Sequence, residues 1–110
     1  LLGLSPGQTL AVTGAAGASG GYVLQLAKAE GLTVIADASE VDRQLVKVLG
    51  ADIVVRRGDK VAARIREHFP HGVDGLADGA VVNERVIPAV RDGGGFASVR
   101  GFTGLAQRCI

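Results

Sequence analysis

The sequence predicts an α/β fold: a doubly wound parallel sheet with helices on both faces. Two observations carry that expectation. Short apolar, β-branched runs alternate with segments of helical spacing along the whole chain. A glycine-rich stretch, Gly14 to Gly21, joins the first run to the first helical segment. Strand–helix alternation of this kind gives right-handed crossovers and a parallel sheet.

The elements follow in order. Leu1 to Gln8 is a lead-in with turn chemistry at Ser5-Pro6-Gly7. Thr9–Thr13 is the first strand. Gly20 to Glu30 is a helix, with Val23, Leu26 and Ala27 on one face and Gly31 as its stop. Thr33–Ala38 is the second strand. Ser39 then starts a helix in an approximate capping box with Asp42. Its apolar stripe is Val41, Leu45, Val48 and Leu49, and Gly50 ends it. Ile53–Val55 is the third strand. Asp59 caps a helix whose face is Val61, Ile65 and Phe69, stopped by Pro70 and Gly72. Gly72–Ala77 is the fourth strand. Val82, Val86, Ala89 and Val90 form a further helical stripe, interrupted by Pro88. Gly93-Gly94-Gly95 reads as a turn and Phe96–Val99 as a fifth strand. Arg100 to Ile110 reads as a loop approaching one more strand.

Bulk composition narrows the function. The 110 residues suit one small domain. They are 47% hydrophobic and 21% charged, ordinary globular chemistry. Twelve basic against 11 acidic residues leave +1, so charge argues for neither nucleic acid nor membrane as a partner. No apolar run approaches the length of a membrane span. The single cysteine, Cys109, supports neither an internal disulfide nor a cysteine zinc site, and a cytoplasmic location is expected. The chain starts at Leu1 and has no methionine, which is expected of a domain taken from a longer protein.

The glycine stretch carries the chemistry. Gly14, Gly17 and Gly20 form G-x-x-G-x-x-G; Ala15, Gly17 and Gly20 form the G-x-G-x-x-G fingerprint with alanine in first place. Glycine lets backbone approach a ligand closely, and the first turn of the next helix presents unpartnered N–H groups and a dipole suited to an anion. A dinucleotide pyrophosphate is the usual occupant, and a ligand-free tight turn is the plainer reading. In the dinucleotide reading this is a Rossmann-type sheet.

The end of the second strand selects the cofactor. Asp37 lies where an acid would bind the adenosine ribose of NAD. Ser39, Arg43 and Arg57 offer a hydroxyl and two guanidinium groups for a 2′-phosphate. Ser39 also reads as a helix cap, the arginines as solvated charges, and Asp37 as a side chain turned to the other sheet face. His68 and His71 read as groups at a helix end rather than metal ligands, and no metal is expected. Tyr22 reads as packing and Asp78 as a loop hydrogen-bonder.

The chain resembles the cofactor domain of medium-chain reductases, nearest to the zinc-independent quinone oxidoreductases, the zeta-crystallin-like proteins. The resemblance rests on Leu4-x-Pro6-Gly7-x-Thr9-Leu10-x-Val12, Thr13-Gly14-Ala15-Ala16-Gly17, Gln25-Leu26-Ala27-Lys28, Leu49-Gly50-Ala51-Asp52 and Gly72-Val73-Asp74. It runs through nearly the whole chain. It implies NADPH-dependent hydride transfer to a quinone or an activated alkene. It places the pyrophosphate at Ala15, Ala16, Gly17, Ala18, Ser19 and Gly20. In its register the NAD-type acid falls at Ala38, not Asp37, and the 2′-phosphate contacts fall at Ser39, Arg43 and Arg57. This favours NADPH over NADH. Val99, Arg100 and Gly101 would lie near the nicotinamide, although Arg100 stands where the family has glycine. The family's separate catalytic domain is expected elsewhere in a longer protein, so no catalytic residue is named and no turnover is expected of these residues alone. A homodimer is a further expectation from the family.

Two other readings remain. An extended short-chain reductase shares G-x-x-G-x-x-G but needs a Tyr-x-x-x-Lys pair, and the only tyrosine, Tyr22, is followed four positions on by Leu26. A non-catalytic, dinucleotide-binding redox sensor would share every motif above.

Overall fold

The computed structural model describes residues 3–58, 60–79 and 86–98. Five strands form one parallel sheet. The strands are β1 (Thr9–Thr13), β2 (Thr33–Ala38), β3 (Ile53–Arg56), β4 (Val73–Asp78) and β5 (Val90–Ser98). Helices α1 (Ala18–Ala29), α2 (Arg43–Leu49) and α3 (Val61–His68) connect them, and a 3-10 turn spans Ile87–Ala89. The spatial order is β3-β2-β1-β4-β5. The chain therefore winds outward from β1 through β2 to β3, then crosses back to place β4 on the other side of β1. That reversal opens a crevice beyond the carboxyl ends of β1 and β4.

Alternation along the strands splits the core in two. Leu10 and Val12 of β1, with Val34, Ala36 and Ala38 of β2, face Val23, Leu24 and Ala27 of α1 and Val46 of α2. Ala11 and Ile35 face the opposite way, onto Val61, Ala62 and Ile65 of α3 with Val86 and Ala89. A sheet buried on both faces needs the near-continuous apolar strands seen here.

The expected bounds of β1 and β2 agree with the structure, and those of β3 and β4 differ by single residues at their ends. Helix α2 differs more. It starts at Arg43 with Asp42 as its N-cap residue, not at Ser39. Ser39 instead closes a turn, with its carbonyl and hydroxyl oxygens both accepting from the Asp42 N–H. The core-facing residues also change. Val46 is fully buried and Leu49 packs beside it, whereas Val41 is 90% and Val48 73% exposed. The apolar arc of this helix is wider than its contact with the sheet, so only one edge of it docks. Val48→Ser is accordingly expected to change the urea unfolding free energy by less than about 0.5 kcal/mol.

The glycine triad is the second correction. Gly93-Gly94-Gly95 lies inside β5 rather than in a turn before it. The step from Val73 to Gly75 on β4 is matched by the longer step from Val90 to Gly95 on β5, so β5 bulges there. Gly93 adopts φ +78°, and a Cβ on Gly94 would come 2.8 Å from the Asp74 carbonyl oxygen. The bulge thus needs residues without side chains. Val90, placed in a helical stripe by its spacing, opens this strand. The rest of that stripe before Val86, the Asp59 cap and everything from Val99 onward lie outside the described residues.

Among the described residues no helix is long and apolar enough to cross a membrane.

Candidate functional site

The turn between β1 and α1 sits at the crevice. Gly14 has φ +66°, which lets the chain leave β1 sharply, and its carbonyl oxygen accepts the Gly17 N–H at 3.0 Å. Gly17 is the N-cap residue of α1, exposed and without a side chain over the turn. Gly20 lies against the turn's backbone. A Cβ there would collide with the Gly14 carbonyl oxygen and come 2.6 Å from the Gly14 carbonyl carbon. The glycine therefore permits α1 to pack onto the end of β1.

A cavity of about 260 Å³ opens beside this turn. Gly14, Ala15, Ala16 and Gly17 form one wall, and Asp37, Ala38, Ser39, Asp42, Arg57 and Gly79 complete the lining. The fold thus brings together the glycine turn, the end of β2 and the end of β3, three segments that are distant in sequence. Arg43 is exposed at the start of α2 but is not part of the lining. Ala18 and Ser19 contribute the first backbone N–H groups of α1. Val99, Arg100 and Gly101 lie outside the described residues.

Asp37 has a role its spacing did not disclose. One carboxylate oxygen accepts the Gly14 N–H at 2.8 Å and the Ala15 N–H at 3.3 Å. The side chain is 6% exposed. It ties the end of β2 to the turn after β1. Burial pushes its pKa above the ordinary 3.8, against the opposing pull of the two N–H groups and of the Arg57 guanidinium.

Asp78, at the end of β4, is fully buried and accepts the Thr13 hydroxyl at 2.6 Å. The pair joins the two strands that flank the crevice, and the Gly79 N–H donates to the Thr13 carbonyl beside it. Ser39 donates its hydroxyl to an Asp42 carboxylate oxygen at 3.1 Å. Arg57 is anchored through its N–H to the Ala38 carbonyl, which keeps the loop after β3 close to the end of β2. Tyr22, expected to pack, is 44% exposed on α1. Among the described residues no three His, Cys, Asp or Glu side chains gather as metal ligands.

The far end of the sheet is held by carboxylates. Asp74 accepts the Thr9 N–H at 2.9 Å and the Arg91 Nε–H at 2.7 Å. These bonds hold its pKa below 3.8. Asp52 is partly desolvated, which alone would raise its pKa, yet the Lys28 ammonium and the Val34 N–H lower it overall. A carboxylate with a depressed folded pKa stabilises the fold above its unfolded value, and that stabilisation is lost as pH falls through the folded value. Asp74→Asn is therefore expected to cost about 1 kcal/mol at pH 7. The cost should vanish well below pH 3.8, as measured by urea unfolding across pH.

No family model matches the chain. Solved structures do. AibC is 33% identical over 86% of this chain and 30% of its own, with a TM-score of 0.79. An alcohol dehydrogenase superfamily protein from Novosphingobium aromaticivorans is 30% identical over 94% of this chain and 32% of its own, with a TM-score of 0.75. A mycobacterial protein complexed with NADPH is 27% identical over 87% and 31%, with a TM-score of 0.74. The chain is thus similar, over most of its length, to one part of each of these proteins. It spans about a third of their length.

Proposed function

We propose that this chain is the NADPH-binding domain of a zinc-independent oxidoreductase that transfers hydride to a quinone or an activated alkene. The carrying observation is the bare glycine turn at the β1–β4 crevice, sharing one cavity with Ser39 and Arg57. The residues fit a dinucleotide. Gly17 leaves the turn uncovered, and the first N–H groups of α1 suit a pyrophosphate. Ala15, Ala16, Gly17, Ala18, Ser19 and Gly20 would hold it. Ser39, Arg43 and Arg57 would face a 2′-phosphate, with Arg43 reaching in from the rim. Val99, Arg100 and Gly101 would lie toward the nicotinamide. The similar mycobacterial protein complexed with NADPH supports the choice of cofactor.

Reduced nicotinamide supplies the hydride when bound, and the protein's part is to bind and orient it. In this chain the glycine turn fixes one end, Asp37 keeps that turn in shape, and the ends of β2 and β3 set the adenosine end. The substrate pocket and its catalytic residues belong to the parts of the longer protein beyond this domain, so the domain alone is inactive. A homodimer follows from the same family reading.

Calorimetric titration of NADPH and NADH tests the proposal. Tighter binding of NADPH, lost in Ser39→Ala combined with Arg43→Ala, is the expected result. Failure of the folded protein to bind either cofactor overturns it.

A further inference from the structure

We propose that Asp42 is a specificity-determining residue, its carboxylate opposing a 2′-phosphate and narrowing the preference for NADPH over NADH. The inference rests on reading the cavity as the adenosine end of a dinucleotide site.

Among the described residues three charged side chains line that cavity: Asp37, Asp42 and Arg57. Asp37 is committed to the turn through the Gly14 and Ala15 N–H groups. The Arg57 charge also acts on Asp37. Asp42 is half-buried at the mouth of α2. It takes the Ser39 hydroxyl proton at 3.1 Å, while its own N–H donates to the same hydroxyl oxygen at 3.3 Å.

Ser39 has a single proton to donate. In this geometry that proton goes to a carboxylate rather than to an incoming anion. A 2′-phosphate carries close to two negative charges near neutral pH. To bond Ser39 it must displace Asp42 and remain beside a like charge. A free ribose 2′-hydroxyl meets no such cost, because it can donate to the carboxylate itself. Glu40, the other nearby acid, is exposed and lies 3.6 Å from Arg56. Asp42 is thus the carboxylate that both lines the cavity and holds Ser39.

Adenosine 2′,5′-bisphosphate and 5′-AMP isolate the effect, because they differ only in the 2′-phosphate. Their affinities are measured by calorimetry for the wild-type protein and for Asp42→Asn, at low and high salt. The Asp42 side chain makes no capping hydrogen bond to α2, so the asparagine removes none. The expected result is about a tenfold rise in the affinity ratio of bisphosphate to 5′-AMP, smaller at high salt. Adding Ser39→Ala to Asp42→Asn should remove part of that gain, since the freed hydroxyl is then missing. If Asp42→Asn fails to fold by thermal unfolding, Asp42→Ser carries the same expectation. An unchanged or lower ratio, with both probes still binding the wild type, overturns this inference and leaves the dinucleotide reading standing. Failure of both probes and of both intact cofactors to bind the folded wild type overturns the two together.

Discussion

Gly20→Ala is expected to destabilise the protein by about 3 kcal/mol and to abolish dinucleotide binding. The added methyl would fall on the Gly14 carbonyl group and 3.0 Å from the Ala15 Cα. Both are backbone atoms, so no side-chain rotation relieves the clash. Either α1 moves off the end of β1, or the turn changes shape. Moving α1 opens the core, because Val23, Leu24 and Ala27 of that helix are fully buried. Changing the turn breaks the Gly17 N–H bond to the Gly14 carbonyl. The urea midpoint reports the first loss and calorimetry the second. A Gly20→Ala protein with wild-type midpoint and wild-type affinity would show that helix and turn do not meet as described.

Asp37 separates charge from hydrogen bonding. Asp37→Ala leaves the Gly14 and Ala15 N–H groups without their acceptor, and Ala15 is fully buried. A loss of about 2–3 kcal/mol is expected, with weaker binding at the turn. Asp37→Asn keeps an acceptor and discards a charge that burial disfavours. Because the folded pKa is raised, the aspartic acid's contribution to stability is fully present below its unfolded value and declines as pH rises through the folded value. Asp37→Asn should therefore match or exceed the wild type at pH 7, with no such decline. Urea unfolding from pH 3 to pH 8 measures both variants. If the alanine and asparagine proteins behave alike, the carboxylate is not the clamp on the turn.

The strand–helix alternation was legible where a strand is a compact apolar run bounded by glycine or turn residues. Thr9–Thr13 and Thr33–Ala38 show this directly. The glycine turn was legible for a related reason. Glycine at Gly14 and Gly20 answers strictly local demands, a positive φ and a backbone contact six residues apart.

Other features depend on neighbours distant in the chain. The spacing of Val41, Leu45, Val48 and Leu49 describes an apolar arc, but the sheet alone selects which edge docks, and it selects Val46 with Leu49. Gly93 to Gly95 look like a turn in isolation, and pairing with β4 draws them into a bulged strand. Asp37 carries a spacing that suits a ribose, yet its carboxylate reaches the N–H groups of a turn more than 20 residues earlier.

The local pattern thus defined the alternating elements and the bare turn, because backbone conformation and burial periodicity act within a few residues. The partners of Asp37 and Asp78 came from packing. A carboxylate's partners are set by which strand ends the sheet order brings side by side. That order, with β1 between β2 and β4, is a long-range property that no local pattern contains.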